Sequence, residues 1–112
     1  ETPLHYAAEK GHQAVAQCLL DAGADKENAS NNGFTPLHLV AQNGHQGVAQ
    51  GLLVAGADTE KATTEGFTPL HIAAQNGHQV IVKCLLDAGA DQEKAGNNGA
   101  TPLHPAAGQG HQ

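Results

Sequence analysis

The sequence predicts an all-α solenoid of stacked helix-turn-helix layers, and three observations predict it. The tetrapeptide Thr-Pro-Leu-His occurs at Thr2–His5, Thr35–His38, Thr68–His71 and Thr101–His104, each start 33 residues after the last. Gly-His-Gln keeps the same step from Gly11, Gly44, Gly77 and Gly110. The 112 residues are 39% hydrophobic, mostly Ala, Leu and Val, with two Phe, one Tyr and no Trp or Met. A globule of this size usually leans on large aromatic anchors. Small side chains at a fixed period suit thin layers stacked side by side.

Each period reads as two short helices and a loop. Thr35 is placed to cap a first helix with its hydroxyl, and Pro36 fits the first helical position, where no amide hydrogen is needed. Leu37, Val40 and Ala41 follow at one-face spacing. Gly44 suits the residue after the helix, where φ turns positive. A second helix is expected from about Gln46 to Ala55, carrying Val48, Ala49, Leu52 and Leu53, with Gly56 closing it. Residues 57–66 are polar, punctuated by Asp, Thr and Gly, and read as an extended turn or hairpin. One such unit cannot bury its own apolar face, so the stack is the fold. The abundant Ala lets helices of adjacent layers approach closely.

Thr-Pro-Leu-His, Gly-His and Leu-Leu-x-x-Gly-Ala-Asp (Leu19–Asp25, Leu52–Asp58, Leu85–Asp91) at period 33 resemble the ankyrin repeat across essentially the whole chain. The resemblance implies one domain over residues 1–112. It divides into a partial repeat 1–33 lacking its first hairpin, repeats 34–66 and 67–99, and a partial repeat 100–112. It further implies β-hairpin loops, an inner and an outer helix per repeat, and a concave face of hairpins and inner helices that binds other proteins.

Composition narrows the partner. Five Lys and no Arg face eleven acidic residues, giving a net charge of −6. That argues against nucleic acid, whose binders need a basic stripe, and against docking on an anionic membrane. No apolar run approaches the ~20 residues of a membrane span. The expectation is an intracellular, cytoplasmic monomer, with end-to-end association open to it because neither end carries a polar cap.

Eight histidines and two cysteines invite a metal or a catalytic reading. Equivalent histidines in neighbouring layers would lie about 10 Å apart, whereas zinc needs each ligand nitrogen at about 2.0–2.1 Å. His5, His38, His71 and His104 fall at the third helical position, within reach of the preceding Thr hydroxyl. The resemblance implies a hydrogen-bond network there, within and between repeats. A catalytic constellation needs unequal environments, and a set repeated identically in each layer reads as architecture. No phosphate-cradling Gly-x-x-x-x-Gly-Lys loop is present, so neither enzyme activity nor a cofactor is expected. Cys18 and Cys84 occupy one position two repeats apart, about 20 Å by the same spacing and beyond disulfide reach. Each is expected to be a small buried hydrophobe.

The informative positions vary while the scaffold repeats. Phe34 and Phe67 precede the Thr caps, and an aromatic there is either a binding anchor or packing for its neighbour's hairpin. The hairpin tips carry Asn31, Asn32, Thr64, Glu65, Asn97 and Asn98, and the inner-helix ends carry Gln42, Asn43, Gln75 and Asn76. The resemblance implies that these contact a protein partner. The surface they make is mostly neutral and amide-rich, favouring wet, hydrogen-bonded recognition over salt-steered capture.

Several residues depart from the family pattern. Glu27, Glu60 and Glu93 stand where typical repeats place Asn, two residues after Gly-Ala-Asp. Ser30, Thr63 and Gly96 replace an Asp three residues before the loop Gly, which predicts a weaker hairpin bond. Gly47 and Gly51 interrupt the middle outer helix at ~1 kcal/mol each, and Gly51 is expected to remove core volume, making this the soft layer. Pro105 predicts a poorly formed last inner helix. Alternatives to an interaction module are a structural spacer in a longer ankyrin array, a targeting arm for an enzyme outside this chain, and an engineered repeat protein.

Overall fold

The computed structural model describes residues 2–90, and these form six helices with no strand. They are α1 (Pro3–Lys10), α2 (Gln13–Asp21), α3 (Pro36–Asn43), α4 (Gln46–Val54), α5 (Pro69–Gln75) and α6 (Gln79–Asp87). Each pair, α1–α2, α3–α4 and α5–α6, makes one layer. An inner row forms as α1 packs on α3 and α3 on α5, and an outer row as α2 packs on α4 and α4 on α6.

The sequence sets each helix boundary locally. Thr2, Thr35 and Thr68 sit in extended backbone with Pro at the first helical position, and each hydroxyl accepts the backbone N–H of the His three residues on. That His returns a bond to the cap's own N–H, completing a capping box in which His replaces the usual Glu or Gln. Gly11 and Gly44 end their helices at φ 75° and 76°, a region costly for any residue with a Cβ.

Equivalent positions show how the layers bury one another. Val48 and Ile81 are 2% and 1% exposed, whereas Val15 at the open end of the stack is 51% exposed. Leu39 and Ile72 are 8% and 6% exposed, against 55% for Tyr6 at the matching position. The core is the line of Leu4, Leu37 and Leu70 with Leu52 and Leu85, each at most 1% exposed, and each worth roughly 1.5–3 kcal/mol of burial. Alanines 7, 8, 41, 49, 73 and 74 fill the gaps between helices.

The loops close as hairpins too short to form a ladder. Ser30 N–H donates to the Phe34 carbonyl (2.9 Å) and Gly33 N–H to the Ser30 carbonyl (2.8 Å), with Gly33 at φ 83°. Thr63, Gly66 and Phe67 repeat the pattern, which is that of a turn followed by a glycine bulge. The bond expected to weaken at the lost Asp is replaced. Phe67 N–H donates to the buried Thr63 hydroxyl (3.2 Å), while Ser30 Oγ bonds to Asn32 Oδ1.

Two expectations fail. Cys18 is exposed and Cys84 only half-buried, because the outer helices bury the faces of Ala16, Val48 with Leu52, and Ile81 with Leu85. The cysteine position lies beside those faces. Gly51 shares that position and removes no core volume: a Cβ there would meet only the Gln17 carboxamide, at 3.2 Å. Gly47 likewise faces the Gln13 carboxamide. Glu93, Gly96, Asn97, Asn98, His104, Pro105 and the last partial repeat lie outside the described residues.

Candidate protein-binding face

Two rows of histidine hold the layers in register and so position everything exposed on the inner row. In the first, His5 Nε2 donates to the Phe34 carbonyl and His38 Nε2 to the Phe67 carbonyl, both at 3.0 Å. A carbonyl can only accept, so Nε2 carries the proton. Nδ1 of His38 is then the acceptor for Thr35 N–H (3.0 Å) and the Thr35 hydroxyl (2.8 Å). Every polar atom of the ring is satisfied in the neutral form. Burial lowers the His38 pKa to about 4, against the opposing pull of its bonds to the Phe67 and Lys61 backbones.

The second row comes from Gly-His and runs the other way along the stack. His45 Nε2 donates to the Glu9 carbonyl (2.9 Å) and His78 Nε2 to the Gln42 carbonyl (3.1 Å). Those carbonyls end the preceding layer's inner helix, where main-chain acceptors lack helical partners. The sequence does not reveal this role, because the acceptor is main chain and any residue supplies it.

Loops add two further links. Thr64 N–H and hydroxyl both reach the Asn32 carbonyl at 3.1 Å. Glu27, the departure from Asn, accepts the Asp58 N–H at 2.8 Å through its carboxylate. The unusual residue thus serves as an interlayer acceptor.

On this frame the candidate residues fall into two groups. Asn31, Asn32, Thr64, Glu65, Gln42, Asn43, Gln75 and Asn76 are all exposed. Asn43 and Asn76 are also fixed, their Nδ2 donating to the carbonyls of Leu39 (3.1 Å) and Ile72 (2.9 Å). Phe34 and Phe67 are half-buried against the core, their rings 5.6 and 5.7 Å from those of His38 and His71. They are packing residues with an edge showing. Sequence reasoning missed Tyr6, 55% exposed, with Lys10 Nζ 6.0 Å from its ring centroid and the His12 ring edge-on at 5.9 Å. The signal for it is an aromatic where the later layers carry aliphatic Leu39 and Ile72.

The outer row carries its own shallow groove between α4 and α6, lined by Gln50, Leu53, Val54, Cys84, Asp87 and Ala88. Val54 is 89% exposed there, where the sister helices place Asp21 and Asp87. No helix among the described residues is long and apolar enough to cross a membrane.

Stacked helix pairs, glycine-punctuated loops and paired histidine rows define the class as an α-helical repeat solenoid. The family profile for ankyrin repeats in three copies matches residues 1–63 and 52–112. The chain belongs to the ankyrin repeat family, whose members generally serve as protein–protein interaction modules and are typically non-catalytic. No curated protein matches the chain.

Proposed function

We propose that this chain is a non-catalytic module that holds a protein partner on the concave side formed by its loop tips and inner-helix ends. The observation that supports it is a division of labour at period 33. Thr, Pro, Leu, His and Gly repeat and are consumed by caps, core and interlayer bonds. The side chains that those tasks leave over are exposed in register on the inner row: Glu9 and Lys10 in the first layer, Gln42 and Asn43 in the second, and the same pair, Gln75 and Asn76, in the third. Net charge among these is zero, which fits recognition through hydrogen bonds and bridging water.

Exposure of Val54 and the groove beside it favours a second reading, docking on the outer row, because an apolar residue replaces the Asp of its sister helices. A spacer with no partner of its own is the third.

Phe34→Ala with Phe67→Ala would separate these poorly, since both rings also pack against the core. Glu65→Arg with Gln75→Arg alters only exposed positions that hold no interlayer bond described above. With thermal melting unchanged, loss of partner capture by this pair supports the inner-row face. Loss through Val54→Asp alone transfers the role to the outer groove. Indifference to both leaves the spacer.

A further inference from the structure

We propose that Asn32 is a site of self-modification. The Gly33 nitrogen attacks the Asn32 carboxamide carbon, ammonia leaves, and water opens the resulting succinimide to aspartate or isoaspartate. The inference stands whichever face holds a partner.

Its first ground is the residue that follows. Attack on an asparagine side chain by the next main-chain nitrogen closes a five-membered ring, and it is least hindered where that next residue has no Cβ. Among the described residues, Asn32, Asn43 and Asn76 precede glycine, whereas Asn28 and Asn31 precede Ala29 and Asn32. The repeat supplies its own contrast. Glu65 precedes Gly66 in the second loop, as Asn32 precedes Gly33 in the first, and has no amide to lose.

The second ground is what each carboxamide touches. Asn43 and Asn76 tie Nδ2 to the carbonyl four residues back, at 3.1 and 2.9 Å. The nitrogen that must leave is thereby held. Asn32 is bonded in the opposite sense. Its Oδ1 accepts from the Ser30 hydroxyl and from the Phe34 N–H (3.4 Å), and its Nδ2 makes no hydrogen bond among the described residues. Both donors draw charge from Cγ, and the Ser30 bond strengthens as Oδ1 gains charge in the tetrahedral intermediate.

The third ground is the setting of the nucleophile. All three glycine N–H groups are bonded: Gly33 to Ser30 (2.8 Å), Gly44 to Val40 (2.8 Å) and Gly77 to Ala74 (3.2 Å). Gly44 closes α3 beneath the His78 ring, so freeing its nitrogen unravels a helix end. Gly33 closes a four-residue turn. Opening that turn gives up the bonds of Thr64 to the Asn32 carbonyl, both 3.1 Å, and leaves every helix intact.

The balance is simple. The Gly33 N–Cγ bond forms, the Cγ–Nδ2 bond breaks, and the proton from Gly33 departs with Nδ2 as ammonia. Water then adds across either carbon–nitrogen bond of the ring, and nothing is oxidised. Opening on one side reroutes the main chain through the Asn32 side chain. The carbonyl that receives Thr64 becomes a free carboxylate on a chain one methylene longer. Either product adds one negative charge to the chain's −6. The link from the first loop to the second is therefore what the modification undoes.

The test ages the intact chain at mildly alkaline pH and maps its peptides by mass spectrometry. Asn32 is expected to become acidic about tenfold faster than Asn43 or Asn76, the rate equivalent of the further bond that holds each of their carboxamides. In guanidinium chloride the three should react alike. Ser30→Ala should slow Asn32 about threefold to tenfold, and Ser30→Thr, which keeps a hydroxyl, should restore the rate. The isoaspartyl chain should melt below Asn32→Asp, which carries the same added charge on an unaltered main chain. Conversion at Asn43 or Asn76 as fast as at Asn32, a ranking that persists in denaturant, Ser30→Ala ageing as fast as the parent chain, or an isoaspartyl chain as stable as Asn32→Asp would each overturn the proposal. The ranking is read on the parent chain, so it decides even where a Ser30 variant folds poorly.

Discussion

His45 lies over Gly11: its Nε2 reaches back to the Glu9 carbonyl at 2.9 Å, and its ring occupies the space that a Cβ on residue 11 would fill. His78 stands in the same relation to Gly44 and Gln42. The Gly-His pair therefore couples a helix end in one layer to a ring from the next. The glycine is needed twice, for its positive φ and for the missing side chain.

That double need separates glycines that look alike in sequence. Gly23 has φ 92° but nothing within 4 Å of a Cβ, whereas at Gly44 a Cβ would lie 2.8 Å from the His78 ring. Gly23→Ala should cost about 1 kcal/mol, the backbone share alone. Gly44→Ala should cost at least about 2 kcal/mol, because displacing His78 also breaks its bond to Gln42. Urea titration of the two variants checks this; equal losses would dissolve the coupling.

The buried imidazole of His38 makes stability depend on acidity. Its folded pKa, about 4, lies below the ordinary 6.5 because of burial. Below 6.5 the unfolded chain binds a proton that the folded chain refuses. Stability contributed by the neutral ring is therefore present above pH 6.5 and lost as pH falls towards 4, by up to roughly 3 kcal/mol. Urea midpoints measured across that window should fall with pH and fall less in His38→Gln. Parallel curves for the two proteins would contradict the assignment.

Glycines in α4 offer the opposite effect. Gly51→Ala adds a Cβ whose nearest neighbour is a mobile glutamine oxygen at 3.2 Å. It should stabilise the chain by about 0.5–1 kcal/mol through helix propensity. Gly47→Ala should gain less, since the Gln13 carboxamide must swing aside. Amide exchange across residues 46–55 should slow in Gly51→Ala; exchange as fast as before would mean the glycine does not limit this layer.

Glu27 supplies a fourth comparison. Glu27→Ala should cost about 0.5–1.5 kcal/mol by freeing the Asp58 N–H, and Glu27→Gln should recover most of it, because the amide oxygen still accepts. Thermal melts of the pair decide whether the acceptor or the charge matters.

How much of this could be read beforehand depended on where the partner atom lay. The Thr35–His38 cap, the Pro36 start and the Gly44 stop were legible because donor, acceptor and spacing all fall within a few residues. The interlayer bonds of His45 and His78 were not, because they end on main-chain carbonyls 36 residues away, and a carbonyl leaves no mark in a sequence. Cys18 and Gly51 were misplaced because a nine-residue outer helix buries a narrow stripe. One step around the helix separates Leu52, fully buried, from Gly51 beside Gln17. Among the described candidate binding residues, exposure of Asn31, Asn32, Gln42, Asn43, Thr64, Glu65, Gln75 and Asn76 followed from their polarity. The half-burial of Phe34 and Phe67 needed the packing itself.

Because both histidine rows terminate on main chain, the demand that one unit makes on its neighbour at those points is small: a carbonyl, and the bare glycine over which the second row's ring lies. Any unit carrying the two histidines can follow any other that carries this glycine, and a duplicated or shuffled segment of 33 residues arrives with its couplings intact. Such a chain can lengthen by copying and then diversify its exposed positions one unit at a time, with the joints unaltered.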